Sequence, residues 1–181
     1  MRCAWAEQSD VERDYHDTEW GVPLHDDQGL FEVLTLRGAQ AGLAWRIVLT
    51  KRQRYREAFH GYDLRRVAAM TDPELAALVG DRGLIRNRLK IASVRGNARA
   101  VLRLRDDGLT LASLLWSFAE APRMSRVPRG VLPTRSDAAD RMCVALRKRG
   151  FCFAGKAICH VLMQSAGMSE AHVEGCFRCR P

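Results

Sequence analysis

The chain has 181 residues, 47% of them apolar, so it is long enough to bury one hydrophobic core and fold without a partner. Its 29 Lys and Arg against 21 Asp and Glu give a net charge of +8, which favours a polyanionic partner, nucleic acid first and an acidic membrane surface second. No stretch reaches the roughly 20 apolar residues of a membrane-spanning helix, and Glu7 stands where a signal peptide would have its apolar run, so we expect a soluble, cytoplasmic protein that does not enter a membrane.

Helical signals dominate from residue 26 to 167, and no alternating apolar pattern bounded by hairpin turns is present. The sequence therefore predicts an all-α fold in a single domain, 1–181. An apolar stripe at 30–36 and a second stripe at 43–59 predict two helices that meet at Gly42.

Capping signals place the next helices. Asp63 is expected to cap a short helix at 64–70. The run Thr71-Asp72-Pro73-Glu74 is a capping box with proline in the first turn, and it predicts a helix that ends near Gly80. After a glycine turn, a basic helix is expected at about 85–104.

The last third of the chain predicts three more helices, at 111–120, 137–148 and 156–166. Ser136 is the expected cap of the second of these. Between the first two, residues 122–133 hold three prolines and three arginines with little periodicity, which predicts a mobile surface loop.

Two pairs of residues near the chain ends have the composition of a metal site. Cys3 and His16 are spaced as C-x12-H, and His172 and Cys176 as H-x3-C. A spacing of four puts the second pair on one face of a helical turn, and two Cys with two His make a closed tetrahedral zinc set. On spacing alone, stray cysteines and a core histidine remain the alternative, and Cys179 is a competing ligand.

A closed four-ligand site would be structural and not catalytic. It would join the segments 1–20 and 168–181, which otherwise carry few apolar anchors. The six cysteines of the chain do not favour disulfides, because no secretion signal accompanies them.

The region at about 75–105 has the order helix, tight glycine turn, basic helix, which is typical of a helix-hairpin-helix. A helix N-terminus offers free N–H groups and positive potential, which suit a DNA phosphate. Such contacts fix position on the duplex without reading sequence. A solvated basic face is an equally good interpretation of the same charges, which belong to Arg82, Arg86, Arg88 and Lys90.

Two aromatic-rich segments, 15–23 and 40–45, could hold an extruded base by stacking, although Trp and Tyr at helical spacing are more often core residues. Their runs, Tyr-His-Asp-Thr-Glu-Trp-Gly-Val-Pro and Gln-Ala-Gly-Leu-Ala-Trp, closely resemble bacterial 3-methyladenine DNA glycosylase I. Further motifs resemble the same family in order and spacing, at 85–91, 97–100, 115–118, 148–155 and 163–164.

The resemblance covers nearly the whole chain and implies a monofunctional DNA glycosylase of the helix-hairpin-helix superfamily, acting as a monomer on a damaged base in double-stranded DNA. It implies a structural zinc ion on the positions that match Cys3, His16, His172 and Cys176. Tyr15 and Trp45 would then be the stacking walls of the base pocket, with Trp20 and Gln40 lining it.

One position departs from the family pattern. The residue just before the Gly-x-Gln-Ala-Gly motif is a base-contacting glutamate in the family, whereas Arg37 stands at the matching position. Two like charges at about 4 Å repel by roughly 4 kcal/mol at an effective dielectric near 20, about a thousandfold against a cationic base. The positions one turn away carry no acid, so we expect Arg37 either to swing out of the pocket or to act within it.

Three hypotheses remain open after the sequence. The first is a DNA glycosylase that excises 3-methyladenine, with a preference that Arg37 shifts toward a neutral or bulkier lesion. The second is a lesion-binding homologue that has lost turnover. The third is a zinc-containing nucleic-acid-binding module that does not flip bases, for which Trp45→Ala would leave DNA affinity unchanged.

Overall fold

The computed structural model describes residues 1–119, 128 and 133–179, and this part of the chain is all-helical, as the sequence predicts. Two 3₁₀ turns, Ala4–Glu7 and His60–Tyr62, accompany the α-helices. The helices are α1 (Asp10–Thr18), α2 (Asp27–Gln40), α3 (Trp45–Leu49), α4 (Arg52–Ala58), α5 (Leu64–Ala69), α6 (Asp72–Val79), α7 (Arg88–Asp106), α8 (Leu111–Trp116), α9 (Asp137–Lys148) and α10 (Lys156–Ser165).

The predicted caps are confirmed. Asp63 and Ser136 accept hydrogen bonds from the backbone N–H groups that open α5 and α9. Thr71 and Glu74 form the reciprocal capping box at the start of α6, with the Glu74 carboxylate 2.6 Å from the Thr71 backbone nitrogen. Gly42, at the predicted joint between two helices, has a φ of 78°, which a residue with a side chain rarely adopts.

Three predicted helices have different bounds in the structure, and one of them is the helix predicted at 111–120, which ends at Trp116. The stripe at 43–59 is not one helix, because α3 ends before Thr50, whose hydroxyl donates to the Ile47 carbonyl at 3.0 Å, and the chain turns before α4 begins. The basic helix α7 begins at Arg88 and not near residue 85, because Asn87 supplies the N-terminal cap by accepting from Lys90 N at 3.0 Å.

Helix α2 lies at the centre of the fold. It buries Leu30, Phe31 and Leu34 completely or nearly so and packs against α3, α7, α8 and α10. Helix α1 packs on the first 3₁₀ turn and on α3, and α10 also packs on α9. The C-terminal turn of α2 therefore lies among α1, α3 and α10, where their side chains can meet.

The first residue lies beside the C-terminal segment that follows α10. The Phe177 backbone N–H donates to the Met1 carbonyl at 2.9 Å. Of the predicted loop at 122–133, only Pro128 and Pro133 fall within the described residues, so that prediction lies outside them. In the described ranges, no helix is long and apolar enough to cross a bilayer.

Candidate functional site

The four predicted metal ligands come together. Cys3 precedes the first 3₁₀ turn, His16 lies in the last turn of α1, and His172 and Cys176 lie in the C-terminal segment after α10. All four are buried, and their ligand atoms lie within 4.8 Å of one another. Cys179, which the sequence left as a competing ligand, is not one of this group.

The spacing of these atoms fits a tetrahedral metal ion. Cys176 Sγ lies 3.4 Å from His16 Nε2 and 3.6 Å from His172 Nδ1, and Cys3 Sγ lies 3.8 Å from His172 Nδ1. Zinc–sulfur and zinc–nitrogen bonds of about 2.3 Å and 2.0–2.1 Å place such atoms about 3.6 Å apart in a tetrahedron. The donor set and its geometry therefore suit zinc.

The outer nitrogen of each imidazole also has a partner. His16 Nδ1 lies 2.8 Å from an Asp17 carboxylate oxygen, and His172 Nε2 lies 3.1 Å from the Trp20 carbonyl oxygen. Such partners orient the ring and leave its other nitrogen free for a metal.

Burial sets the protonation of this cluster. It raises the pKa of the Cys3 thiol to about 12 and lowers the pKa of His172 to about 4, in each case toward the neutral form. A bound divalent cation would offset the desolvation of the thiolates, which are the forms of cysteine that bind metal.

Arg37 points into the protein and not out of it. Its side chain, on the last turn of α2, is 5% exposed and donates three hydrogen bonds. Nε donates to Ser165 Oγ on α10 at 2.9 Å and Nη1 to Gln40 Oε1 at 2.8 Å, while Nη2 donates to the Tyr15 hydroxyl on α1 at 3.3 Å. Of the two outcomes expected for Arg37, the structure excludes swinging out, and its action within a base pocket stays a prediction.

The guanidinium also covers an aromatic face. Arg37 Cζ lies 3.6 Å from the ring centroid of Trp45, the first residue of α3, in a cation–π stack. Tyr15 packs edge-on against the same ring at 5.3 Å. The two predicted stacking walls are therefore in contact, and Arg37 occupies one face of Trp45.

The charge of Arg37 has no carboxylate beside it in the part of the chain that the structure describes. Among the described residues, no Asp or Glu oxygen lies within 4.0 Å of its guanidinium, although other buried or half-buried arginines such as Arg52 do have acidic partners. Burial lowers the pKa of Arg37, but a guanidinium remains charged in proteins. A lone buried cation is costly, so its environment must supply acceptors.

Trp20 lies beside the metal cluster. Its ring contacts Trp5 at 4.9 Å and His172 at 4.5 Å, both edge to face, and its side chain is 3% exposed. The structure thus gives Trp20 a packing role next to the Cys/His cluster, and its predicted place in the base pocket stays a prediction.

The four predicted phosphate-binding residues divide into two kinds. Arg82, Arg86 and Arg88 are exposed around the start of α7. Lys90 is half-buried, and its Nζ donates to the carbonyl oxygens of Ala39 at 2.9 Å and Ala41 at 2.7 Å. Lys90 therefore holds the C-terminal end of α2 against α7, which its position in a basic run does not reveal.

Ser165 is a partner of Arg37 that the sequence did not predict. It lies 128 positions from Arg37 in the chain and contacts Arg37 only because α10 packs on α2. The family-like motif at 163–164 ends one residue before Ser165, so no local pattern in the sequence marks Ser165.

A family model for methyladenine glycosylase matches residues 5–179. The chain belongs to the methyladenine glycosylase family. It is 44% identical to DNA-3-methyladenine glycosylase 1 of Escherichia coli (strain K12) over 97% of this chain and 95% of that protein. It is 42% identical to DNA-3-methyladenine glycosylase of Haemophilus influenzae, over 97% and 96% of the two chains.

The fold agrees with this membership. A crystal structure of 3-methyladenine DNA glycosylase I superposes with a TM-score of 0.96 at 41% identity, covering 99% of this chain and all of that one. The expected family and the all-helical fold are thus confirmed, while the zinc ion that the sequence predicts stays a prediction.

Proposed function

We propose that the protein is a DNA glycosylase of base-excision repair that hydrolyses the N-glycosidic bond of an alkylated purine, 3-methyladenine, in double-stranded DNA. The observation that carries this proposal is the cluster of Tyr15, Arg37, Gln40 and Trp45, in which α1, α2 and α3 bring two aromatic rings and polar groups together. The relatives that share the fold are named for this activity.

Cleavage of the N-glycosidic bond of 3-methyladenine needs little acid catalysis from the protein. Alkylation at N3 leaves the adenine positively charged, so the base departs as a neutral molecule when the bond to deoxyribose breaks. The site has to extrude the base, orient it and exclude competing contacts. Tyr15 and Trp45 would provide aromatic surface for this, and the Gln40 amide would provide hydrogen bonds.

The test is release of free base from methylated duplex DNA, measured beside binding of the same DNA. We expect release by the native protein and a loss of both release and lesion affinity in Trp45→Ala. Trp116→Ala is the control, because Trp116 stacks on His25 and is not part of the pocket cluster. If DNA affinity is the same in native and Trp45→Ala proteins, a binding module without base flipping becomes the better account.

A lesion-binding protein without turnover is the second candidate function. The observation that favours it is the position of Arg37, whose guanidinium covers one face of Trp45 and would repel a cationic base bound beside it. Tight binding of methylated DNA without any free base would support this candidate against hydrolysis.

We further propose that Cys3, His16, His172 and Cys176 hold one structural zinc ion. Their closed set of four donors leaves no position for a reacting water, so the ion would join the chain ends and take no part in base release. The contacts of 3.4–3.8 Å between sulfur and nitrogen atoms support this proposal.

For the DNA backbone, we propose that Arg82, Arg86 and Arg88 contact phosphates around the N-terminus of α7. Lys90 would contribute to DNA binding indirectly, because its hydrogen bonds to Ala39 and Ala41 fix the C-terminal end of α2 against α7. We also propose that the protein works as a monomer in the cytoplasm, with chain residues 1–181 acting as one domain.

A further inference from the structure

Among the described residues, two side chains that accept hydrogen bonds from Arg37 keep donors without a partner. Gln40 Oε1 and the Tyr15 oxygen both accept from Arg37, so the Gln40 amide N–H groups and the Tyr15 O–H remain to donate. Ser165 Oγ accepts from Arg37 and donates to the Val161 carbonyl at 2.6 Å.

Arg37 also has N–H groups without an acceptor among the described residues. Nη1 and Nη2 carry two N–H groups each and use one each within the described residues. The indole Nε1 of Trp45, stacked under the guanidinium, is buried without any hydrogen-bond partner in this part of the chain. Buried donors without acceptors are rare in folded proteins, and an acceptor on a bound ligand would satisfy this one.

The same cluster has a positive charge for which the described residues supply no counter-charge. Arg37 is buried, and no carboxylate among the described residues lies within ion-pair distance of it. A ligand that accepts hydrogen bonds or develops negative charge would therefore be stabilised here, and a cationic ligand would be repelled.

We infer that Arg37 makes the pocket selective for neutral 6-oxopurines, of which hypoxanthine is the simplest, over bases with a 6-amino group or a fixed positive charge. A 6-oxopurine presents O6 and N7 as adjacent acceptors, the edge to which arginine donates two hydrogen bonds when it reads guanine. Adenine presents an N6 amino donor at the same place, which would face the unused N–H donors of this pocket.

The charge of the departing base is a second reason to expect this selectivity. In hydrolysis, water adds to C1′ and the C1′–N9 bond breaks, with its electron pair passing to the base. A neutral 6-oxopurine leaves as an anion, which takes up a proton afterwards, and the proton lost by water goes to solvent. The buried guanidinium opposes a cationic ground state and stabilises an anionic product, so it lowers the barrier for the neutral lesion.

This inference rests on the proposed glycosylase function and changes the preferred base, from cationic N3-alkylated adenine to a neutral 6-oxopurine. Base release from N3-alkylated adenine would be slowed by Arg37 and not abolished, because that base departs without a proton or negative charge. The two substrates thus respond to Arg37 in opposite directions, and this is the property to measure.

The experiment compares single-turnover base release from a duplex with one deoxyinosine, a duplex with deoxyadenosine at the same position, and methylated DNA. Native protein, Arg37→Met, Arg37→Glu and Arg37→Lys are compared, and Arg65→Glu on exposed α5 is the matched control for the charge change. Thermal melting verifies that each variant is folded. Tryptophan fluorescence measures the binding of free hypoxanthine and free adenine. Because a free base does not have to be extruded from a duplex, differences in extrusion do not affect this comparison.

We expect the native protein to bind hypoxanthine at least about tenfold more tightly than adenine, and Arg37→Met to abolish that difference. Hypoxanthine release should fall about tenfold or more in Arg37→Met, while 3-methyladenine release rises about tenfold or more in Arg37→Glu. Arg37→Lys keeps the positive charge but lacks the planar guanidinium with its paired donors. We therefore expect this variant to lose the preference for hypoxanthine in binding and to keep part of the rate of hypoxanthine release.

Release of 3-methyladenine by the native protein without any hypoxanthine would overturn this inference and leave the proposed function standing. Equal binding of the two free bases, or hypoxanthine release that Arg37→Met does not change, would overturn it as well. No free base from any substrate with either native protein or Arg37→Glu, both folded and DNA-bound, would instead overturn the proposed function.

Discussion

Ser165 is the residue that holds the guanidinium of Arg37 from the side of α10. Its hydroxyl accepts from Nε at 2.9 Å in a buried setting. Removing it leaves a charged donor without an acceptor, so we expect Ser165→Ala to lower the free energy of unfolding by about 1–3 kcal/mol in urea denaturation.

The control for this prediction is the same change in an Arg37→Met background, where Ser165→Ala should cost little. A cost that is the same in both backgrounds would show that the serine does not act through Arg37.

The sequence predicted part of the environment of Arg37 but not the direction of its side chain. The resemblance marked Arg37 as a departure, and the absence of acid one turn away showed that no helical neighbour neutralises it. Which way the side chain points depended on Ser165 and Tyr15, on two other helices. Contacts between distant segments of this kind have no local sequence pattern, so the alternatives stayed open.

At the scale of elements, the start of α7 carries the predicted contact with DNA. We expect Arg86→Ala and Arg88→Ala each to reduce the slope of log K against log salt concentration by about 0.9 if each arginine contacts one phosphate. The loss of affinity should be the same for damaged and undamaged duplexes. Arg65→Ala, also exposed, is the control, and an equal change of slope in that variant would contradict the assignment to α7.

The contact between α9 and α10 makes stability depend on pH. Asp140 accepts a hydrogen bond from Lys156 Nζ at 2.8 Å and pairs with Arg135, and these partners lower the pKa of its carboxyl. Because the lowered pKa belongs to the folded state, this contribution is present above about pH 4, the usual range of the unfolded carboxyl, and is lost as pH falls through the folded pKa.

We therefore expect Asp140→Asn to lower the melting temperature at pH 7 and the two proteins to converge as the pH falls below about 4. Melting curves recorded as a function of pH check this. A difference that persists unchanged into strong acid would assign the effect of the variant to something other than ionisation.

Elements with strong capping signals were predictable from the sequence, as α6 and α9 show. Helix α1 was not predicted, although the sequence carries a signal for it. Ser9 accepts from the Glu12 backbone N–H and donates to the Glu12 carboxylate at 2.8 Å, a Ser-x-x-Glu pair that marks a helix start. The break between α3 and α4 could not be read from the apolar stripe, because the stripe continues across it.

For the whole molecule, the proposed zinc ion makes the clearest prediction. We expect about one zinc per chain by elemental analysis, lost in Cys176→Ser and kept in Cys152→Ser, whose thiol is exposed and outside the cluster. Structural zinc contributes many kcal/mol to folding. Since each kcal/mol moves the melting temperature of a chain this size by about 2–4 °C, chelation should lower it by about 10 °C or more.

Full retention of the melting temperature after complete removal of the metal would contradict a structural role. Equal zinc content in native and Cys176→Ser proteins would contradict the choice of ligands.

The hydrogen bond between Phe177 and Met1 has a practical consequence for the way this chain can be handled. Because Met1 and Phe177 are in contact beside the Cys/His cluster, the backbone from one to the other is close to a closed ring. Joining the ends through a short linker and opening the chain elsewhere would preserve its contacts, as circular permutation requires. Conversely, a polyhistidine tag at either end would place competing imidazoles next to the same buried thiols.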